Sequence, residues 1–248
     1  MSESIDRRFN RLAEGYARFR PTCPAELVDR VADECSSHRL AWEPGCGSGQ
    51  ATPHLAARFD DVLATDPAAS AVASAIPIRG VRYEVGRSES CSLERGVVNC
   101  VAVSQAAHWF DMNAFAAEVH RVAAPSCVVA LWCYDRPRTS PTVDAVVDHL
   151  YFDVLAGCWD AGRAHIDTRY ADLVFPFNER SINVPNYEMS WTTDQMIGYL
   201  STWSAVDTFA QRGGGDAVEC VASDLRKAWG DVERRVQWPV GMRFGTVS

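Results

Sequence analysis

Three glycines and two acids are the residues with the clearest chemistry. Glu43-Pro44-Gly45-Cys46-Gly47-Ser48-Gly49 sets glycine at alternate positions, two residues after an acid. Glycine lets the backbone take positive φ and come close to a ligand. A helix starting just beyond offers unpaired N–H groups to a carboxylate or phosphate. Two ligand classes compete for such a loop. A dinucleotide fingerprint, G-x-G-x-x-G, needs its third glycine at position 50, which is Gln50. An acid beside a pyrophosphate is repulsive, whereas it suits a ligand with an ammonium group. S-adenosylmethionine (SAM) is such a ligand. Asp66 ends the next apolar run, where a carboxylate can accept both hydroxyls of a ribose. Two more polar stretches follow apolar runs, "GRSE" at 86–89 and "SQAAHWFD" at 104–111.

These residues need elements to hold them. "RLAWEPGCGSGQ" is a short strand running into the glycine turn, and helical character resumes over Thr52 to Phe59. "DVLATD" is a buried strand, "PAASAVASAI" a small-residue helix, and "VRYEVG" a third strand. "GVVNCVAVSQ" is nearly all apolar, which predicts a strand covered on both faces. "MNAFAAEVHRVAA" is an amphipathic helix stopped by Pro125, and "CVVALWCY" is a fifth strand. Strands alternating with helices imply a parallel sheet with right-handed crossovers. The expected class is α/β: a Rossmann-like, mostly parallel sheet from about Leu40 to Tyr134, with a C-terminal antiparallel hairpin and an inserted substrate lobe. Ligands bind such sheets beyond the carboxyl ends of the strands, where Glu43, Asp66, Glu84, Ser104 and Trp132 fall.

The flanks are helical. Ile5, Phe9, Leu12 and Tyr16 share one face of a helix over Ser4 to Phe19, and Pro21 and Pro24 separate it from a second over Ala25 to Ser36. After Tyr134 a helix over Thr142 to Leu155 leads into an aromatic-rich irregular stretch reaching about Asn186. "TTDQ" can cap a helix near Thr193, and another runs over Asp216 to Trp229. The chain then turns at Pro239–Gly241 between alternating segments. One domain over 1–248 is expected: covering helices at 1–39, the ligand-binding core at 40–140, a substrate lobe at 141–205, and a helix with hairpin at 206–248.

The formal net charge of -8 repels a phosphate backbone, so a nucleic-acid partner is not expected. Arg7, Arg8 and Arg11 read as a solvated helix face. Nine cysteines include no C-x-x-C pair and none at zinc-ligand spacing. They read as buried, reduced thiols of a cytoplasmic protein with no metal. The first residues carry no apolar signal core, and no stretch approaches the roughly 18 apolar residues of a membrane span. Oligomeric state is not legible.

"EPGCGSGQAT", "ATDPAASAVA", "VSQAAHWFD", "VVALWCYDRP" and "GYLSTWSAV" together resemble the trans-aconitate methyltransferase-like (type 11) group of class I SAM-dependent methyltransferases. The opening "YARFRPTCPAEL" and the closing "WPV…F" resemble that group too. "TCP" departs from it, since an aromatic often precedes that proline. The resemblance implies that Glu43, Gly45, Gly47 and Gly49 form the SAM loop, with Gln50 beside it. It implies that Asp66 holds the ribose with Pro67 next to it, that Ser88 and Glu89 border the adenine, and that Ser104 lies near the methionine part. Tyr16 and Arg20 would close over the cofactor, Arg20 facing its carboxylate.

Methyl transfer from a sulfonium is an in-line displacement in which alignment and exclusion of water matter most. If the acceptor loses a proton, His108 is the candidate base. Trp109, Trp132, Tyr134, Trp191 and Trp203 are candidates to line the acceptor pocket. A flat aromatic pocket favours N-methylation of a planar heterocycle, and the toxoflavin N-methyltransferases, which act on azapteridines, are one similar family. Carboxyl O-methylation is the alternative, with Arg136, Arg138, Arg163 and Arg169 available to bind an acid. A non-catalytic SAM-binding or partner protein is the reading from another class.

Overall fold

The computed structural model describes residues 19–247. The first expected helix up to residue 18, Tyr16 within it, and Arg7, Arg8 and Arg11 lie outside the described residues. Five parallel strands carry the core: β1 Leu40–Pro44, β2 Asp61–Asp66, β3 Val81–Val85, β4 Val98–Ser104 and β5 Ala123–Tyr134. Helices α1 Ala25–Asp33, α2 Thr52–Ala56, α3 Ala69–Ser74 and α4 Met112–Val122 precede or connect them. Beyond β5 come α5 Pro141–His149, α6 Arg163–Asp167, β6 Asn178–Glu179, β7 Tyr187–Trp191, α7 Thr193–Ser201, α8 Ser204–Gln211, α9 Glu219–Trp229, β8 Arg234–Trp238 and β9 Val240–Thr246.

The main sheet has the order β3-β2-β1-β4-β5-β9-β6. The strand order reverses between β1 and β4, which pair in parallel through Ala41–Cys100 and Trp42–Val101. That crevice is the switch point where such sheets bind ligands. β9 runs antiparallel to β5, from Val128–Thr246 to Tyr134–Val240. The C-terminal strands are antiparallel as expected, but their partners are particular. β8 pairs with β7 in a separate two-stranded sheet, and the chain crosses at Pro239 to pair β9 with β5.

Burial follows from the pleat. On β4 and β5, Cys100, Ala102, Val128, Ala130, Trp132 and Tyr134 face one apolar layer with Leu27 and Val31 of α1. Val101, Val103, Val129, Leu131 and Cys133 face the other with Phe115 and Val119 of α4. Both faces of β4 are therefore covered, as its unbroken apolar run predicts. Asp111 caps α4 by accepting the Asn113 and Ala114 N–H groups, both at 3.1 Å. Thr192 and Gln195 form the capping box expected for α7. The expected helix over Thr142 to Leu155 is α5 followed by one wider turn, Leu150–Val154. All nine thiols are free, and seven are buried; Cys91 is half-buried and Cys220 exposed.

Candidate functional site

The loop after β1 has the backbone its sequence demands. Gly45, Gly47 and Gly49 lie at φ 73°, 56° and 88°, where a side chain is strained. A Cβ on Gly45 would sit 2.5 Å from the Ala106 Cβ, so this glycine serves packing against the turn after β4. A Cβ on Gly47 would meet nothing within 4 Å. Gly47 therefore faces open space, and its missing side chain leaves room for a ligand. The loop is anchored by the Gly45 and Cys46 N–H groups, which donate to the Thr65 carbonyl at 2.7 and 3.1 Å.

Two acids flank this loop. Glu43 is only 1% exposed and accepts the Thr52 hydroxyl at 2.6 Å. Burial, with the neighbouring charge of Asp66, pushes its carboxyl up to about 8 although the Thr52 hydrogen bond lowers it. Asp66, half-buried at the end of β2, accepts the Gly47 N–H at 2.9 Å through Oδ2 and the Ala68 N–H at 2.9 Å through Oδ1. It thus does two jobs: it shapes the entry to α3, and it ties the end of β2 to the glycine loop. Pro67 is exposed beside it and Gln50 half-buried after Gly49.

The ends of β3, β4 and β5 complete the rim. Buried Ser88 donates to Glu89 Oε1 at 2.8 Å, and the Asp111 N–H reaches the same oxygen at 3.4 Å. Burial raises the Glu89 carboxyl, but donors from Ser88 and Arg87 outweigh it and hold the group low. Ser104 ends β4 opposite Trp132 of β5. Gln105, at φ 54°, accepts the Tyr134 N–H at 2.8 Å and donates to the Tyr134 carbonyl at 3.3 Å. It fixes the relative height of β4 and β5, a role that sequence reading missed. Trp132 donates through Nε1 to the Tyr187 hydroxyl at 3.1 Å, and the Tyr134 and Tyr187 rings lie 5.0 Å apart. Arg20 donates to the Tyr134 hydroxyl at 3.2 Å and to the Thr202 carbonyl at 3.0 Å, bridging the N-terminal segment, β5 and α7.

His108 lies elsewhere in character. It sits on a single turn after β4, with Nδ1 2.8 Å from the hydroxyl of fully buried Tyr170. Its neighbours Ala107 and Tyr170 belong to the layer on the α4 face, whereas Trp132 and Tyr134 belong to the opposite layer. Burial, then the charges of Arg163 and His165, push its imidazole down to about 3. It is neutral at physiological pH, and a weak base.

The expected acceptor-binding aromatics divide. Trp132, Tyr134, Trp191 and Trp203 are buried, while Trp109 is 46% exposed. Trp191 packs on Trp238 of β8 at 4.7 Å. Trp203 stands edge-on to Tyr151 at 5.7 Å and 5.4 Å from Trp159. A cavity of about 410 Å³ is lined by Tyr151, Phe152, Trp159 and Arg163 with Asp160 and Asp167. None of the five expected aromatics lines it. Of the arginines read as acid binders, only Arg163 does. It donates to the Tyr151 hydroxyl at 2.7 Å and stacks 5.0 Å from both the Tyr151 and Trp159 rings. Arg136 and Arg138 pair with Asp148 at 3.6 and 3.0 Å, and Arg169 with Asp135 at 3.5 Å.

Among the described residues no cluster of metal-ligating side chains occurs, and no helix is long and apolar enough to cross a membrane. The donor set around the loop fits SAM: acids for an ammonium and a ribose, and open space at Gly47. A methyltransferase-domain family model matches residues 42–131. A protein assigned as a methyltransferase in Dictyostelium discoideum is 31% identical over 229 residues, covering 91% of this chain and 87% of that one. A structure assigned as a type II methyltransferase from Anaeromyxobacter dehalogenans is 39% identical, with a TM-score of 0.86 over 92% of this chain and 98% of that one. A functionally uncharacterized Mycobacterium tuberculosis methyltransferase is 32% identical over 120 residues, 47% of this chain and 48% of that protein. The match is thus near full length for two relatives and about half length for the third. It joins the strand order and glycine loop already described, and the chain belongs to the methyltransferase-domain family with the class I SAM-dependent methyltransferase fold.

Proposed function

We propose that this chain transfers the methyl group of SAM to a small planar acceptor, at a ring nitrogen of a heterocycle of the azapteridine kind. The observation that carries the SAM reading is the pairing of the open Gly47 position with acids on both sides, Glu43 and Asp66. In this reading Glu43 faces the ammonium, Asp66 the ribose, Ser88 and Glu89 the adenine, and Arg20 the carboxylate. SAM, when bound, supplies an activated methyl carbon with a neutral thioether as leaving group.

The chain's own residues do the rest. The loop and Asp66 fix the position of the donor, and Gln105 fixes the β4 and β5 ends that support the acceptor side. The aromatic walls of the cavity, Tyr151 and Trp159, suit a flat ring by stacking. His108, held by Tyr170 and low in basicity, orients the turn after β4 and does not serve as a strong base. Arg163 in the cavity wall favours the alternative, carboxyl O-methylation of a small acid. The test is incubation with SAM and a panel of aromatic nitrogen heterocycles and small carboxylic acids, with S-adenosylhomocysteine release as readout. Turnover of heterocycles supports the first reading, turnover of acids the second. Turnover of neither class excludes both.

A further inference from the structure

Glu43 is a carboxyl that meets no cation among the described residues. Among the described residues, the titratable groups that face it are all acidic: Asp66 from β2, Cys46 from the glycine loop, Tyr83 from β3, and Cys23 from the segment before α1. Its one strong donor is the Thr52 hydroxyl, 2.6 Å away on a side chain that is itself 0% exposed. Gly49 lies against Thr52 and Tyr83, since a Cβ there would sit 3.0 Å from the Tyr83 hydroxyl oxygen and 3.2 Å from Thr52 Oγ1.

We propose that burial among acids keeps Glu43 a neutral carboxylic acid at the foot of the loop and that Thr52 is a positioning residue that fixes its orientation, so that arrival of a ligand ammonium is coupled to loss of the Glu43 proton to solvent. The inference rests on the reading of the loop as a SAM site. The step balances: a carboxylic acid and an ammonium become a carboxylate–ammonium pair and one released proton. A buried carboxyl among acids avoids the cost of an unpaired charge by staying protonated. A ligand cation removes that reason. The high position of the Glu43 carboxyl, about 8, agrees with this.

The test is calorimetry at neutral pH in two buffers of different ionisation enthalpy, with S-adenosylhomocysteine, which keeps the ammonium. 5′-Methylthioadenosine, which lacks the amino-acid part, is the comparison ligand. The wild type should release up to one proton per S-adenosylhomocysteine and almost none with methylthioadenosine. Glu43→Gln should abolish the release. Thr52→Val should weaken S-adenosylhomocysteine about tenfold, equivalent to about 1.4 kcal/mol, and leave methylthioadenosine unchanged. Thr52→Ser should restore wild-type behaviour. Binding of S-adenosylhomocysteine without proton release overturns the inference and leaves the SAM reading standing. Equal weakening of both ligands by Thr52→Val reduces Thr52 to a packing role. Failure of the wild type to bind either ligand removes the SAM reading and the inference together.

Discussion

The Asp66 carboxylate accepts the Gly47 N–H at 2.9 Å, so the acid that ends β2 is hydrogen-bonded to the glycine loop that follows β1. The pair spans the parallel contact in which Pro44 lies beside Thr65. Removing the carboxylate therefore has two effects, loss of a ribose acceptor and release of the loop. Asp66→Ala should weaken S-adenosylhomocysteine binding by about 10- to 100-fold, the loss of one or two charge-assisted hydrogen bonds. Asp66→Asn, which keeps an acceptor oxygen, should fall between. Wild-type affinity in Asp66→Ala, read by calorimetry, contradicts the ribose assignment.

Two glycines of one loop should respond differently to the same substitution. Gly45→Ala must push its Cβ against Ala106, 2.5 Å away, at φ 73°. It should cost about 2–4 kcal/mol of stability, combining overpacking with backbone strain. Gly47→Ala meets no atom within 4 Å and carries only the strain of φ 56°. It should cost about 1 kcal/mol of stability, and its methyl should project into the ligand space and lower cofactor affinity. Chemical denaturation alongside calorimetry separates the two effects. Equal stability losses would show that Gly45 is not tightly packed.

The turn made by those glycines, and the places of Glu43 and Asp66 on β1 and β2, were legible because they depend on spacing along the chain. The five parallel strands, the capped start of α7 and the apolar character of β4 were equally legible, since each follows from a local pattern. Partners distant in sequence were not. Nothing in "SQAAHWFD" says that His108 meets Tyr170, 62 residues away, or that burial there suppresses its basicity. Gln105 sits in the same stretch, but its two hydrogen bonds to Tyr134 depend on the β4–β5 register. The packing of the aromatic residues was hidden for a related reason. Tryptophan count shows aromatic mass without showing which rings pack inward, and Trp191 packs inward while Tyr151 and Trp159 line a cavity. The closing strands look like a hairpin locally, yet Pro239 sends them to different sheets.

The two unusual titrating groups give the ligand-free protein opposing pH dependences. His108 has its value lowered from 6.5 to about 3, so the unfolded chain binds its proton first and stability falls as pH drops across that window. Glu43 has its value raised from 4.5 to about 8, so stability from its protonated form is full below the lower value and falls as pH rises toward the upper one. Each slope is at most about 1.4 kcal/mol per pH unit. His108→Gln should flatten the acid limb and Glu43→Gln the neutral limb in urea denaturation. An unchanged acid limb in His108→Gln would show that its imidazole titrates normally.

The low basicity of His108 limits its part in turnover. With acceptor saturating, His108→Ala should lower kcat only a few-fold, through loosening of the turn after β4, with cofactor affinity intact. A loss of about 100-fold or more would restore it as the general base. Trp159→Ala should raise the acceptor KM at least several-fold while S-adenosylhomocysteine affinity stays within about twofold, because Trp159 lines the cavity and stacks on Tyr151 at 4.3 Å. An unchanged acceptor KM places the substrate elsewhere.

The most direct measurement is titration of the purified wild-type chain with SAM and S-adenosylhomocysteine, followed by calorimetry. Both should bind saturably at one site per chain, with dissociation constants from about 1 to 100 μM, and that binding should be lost in the Asp66→Ala, Gly47→Ala double variant. Heat-free mixing with both ligands, in a protein shown to be folded, contradicts the SAM reading.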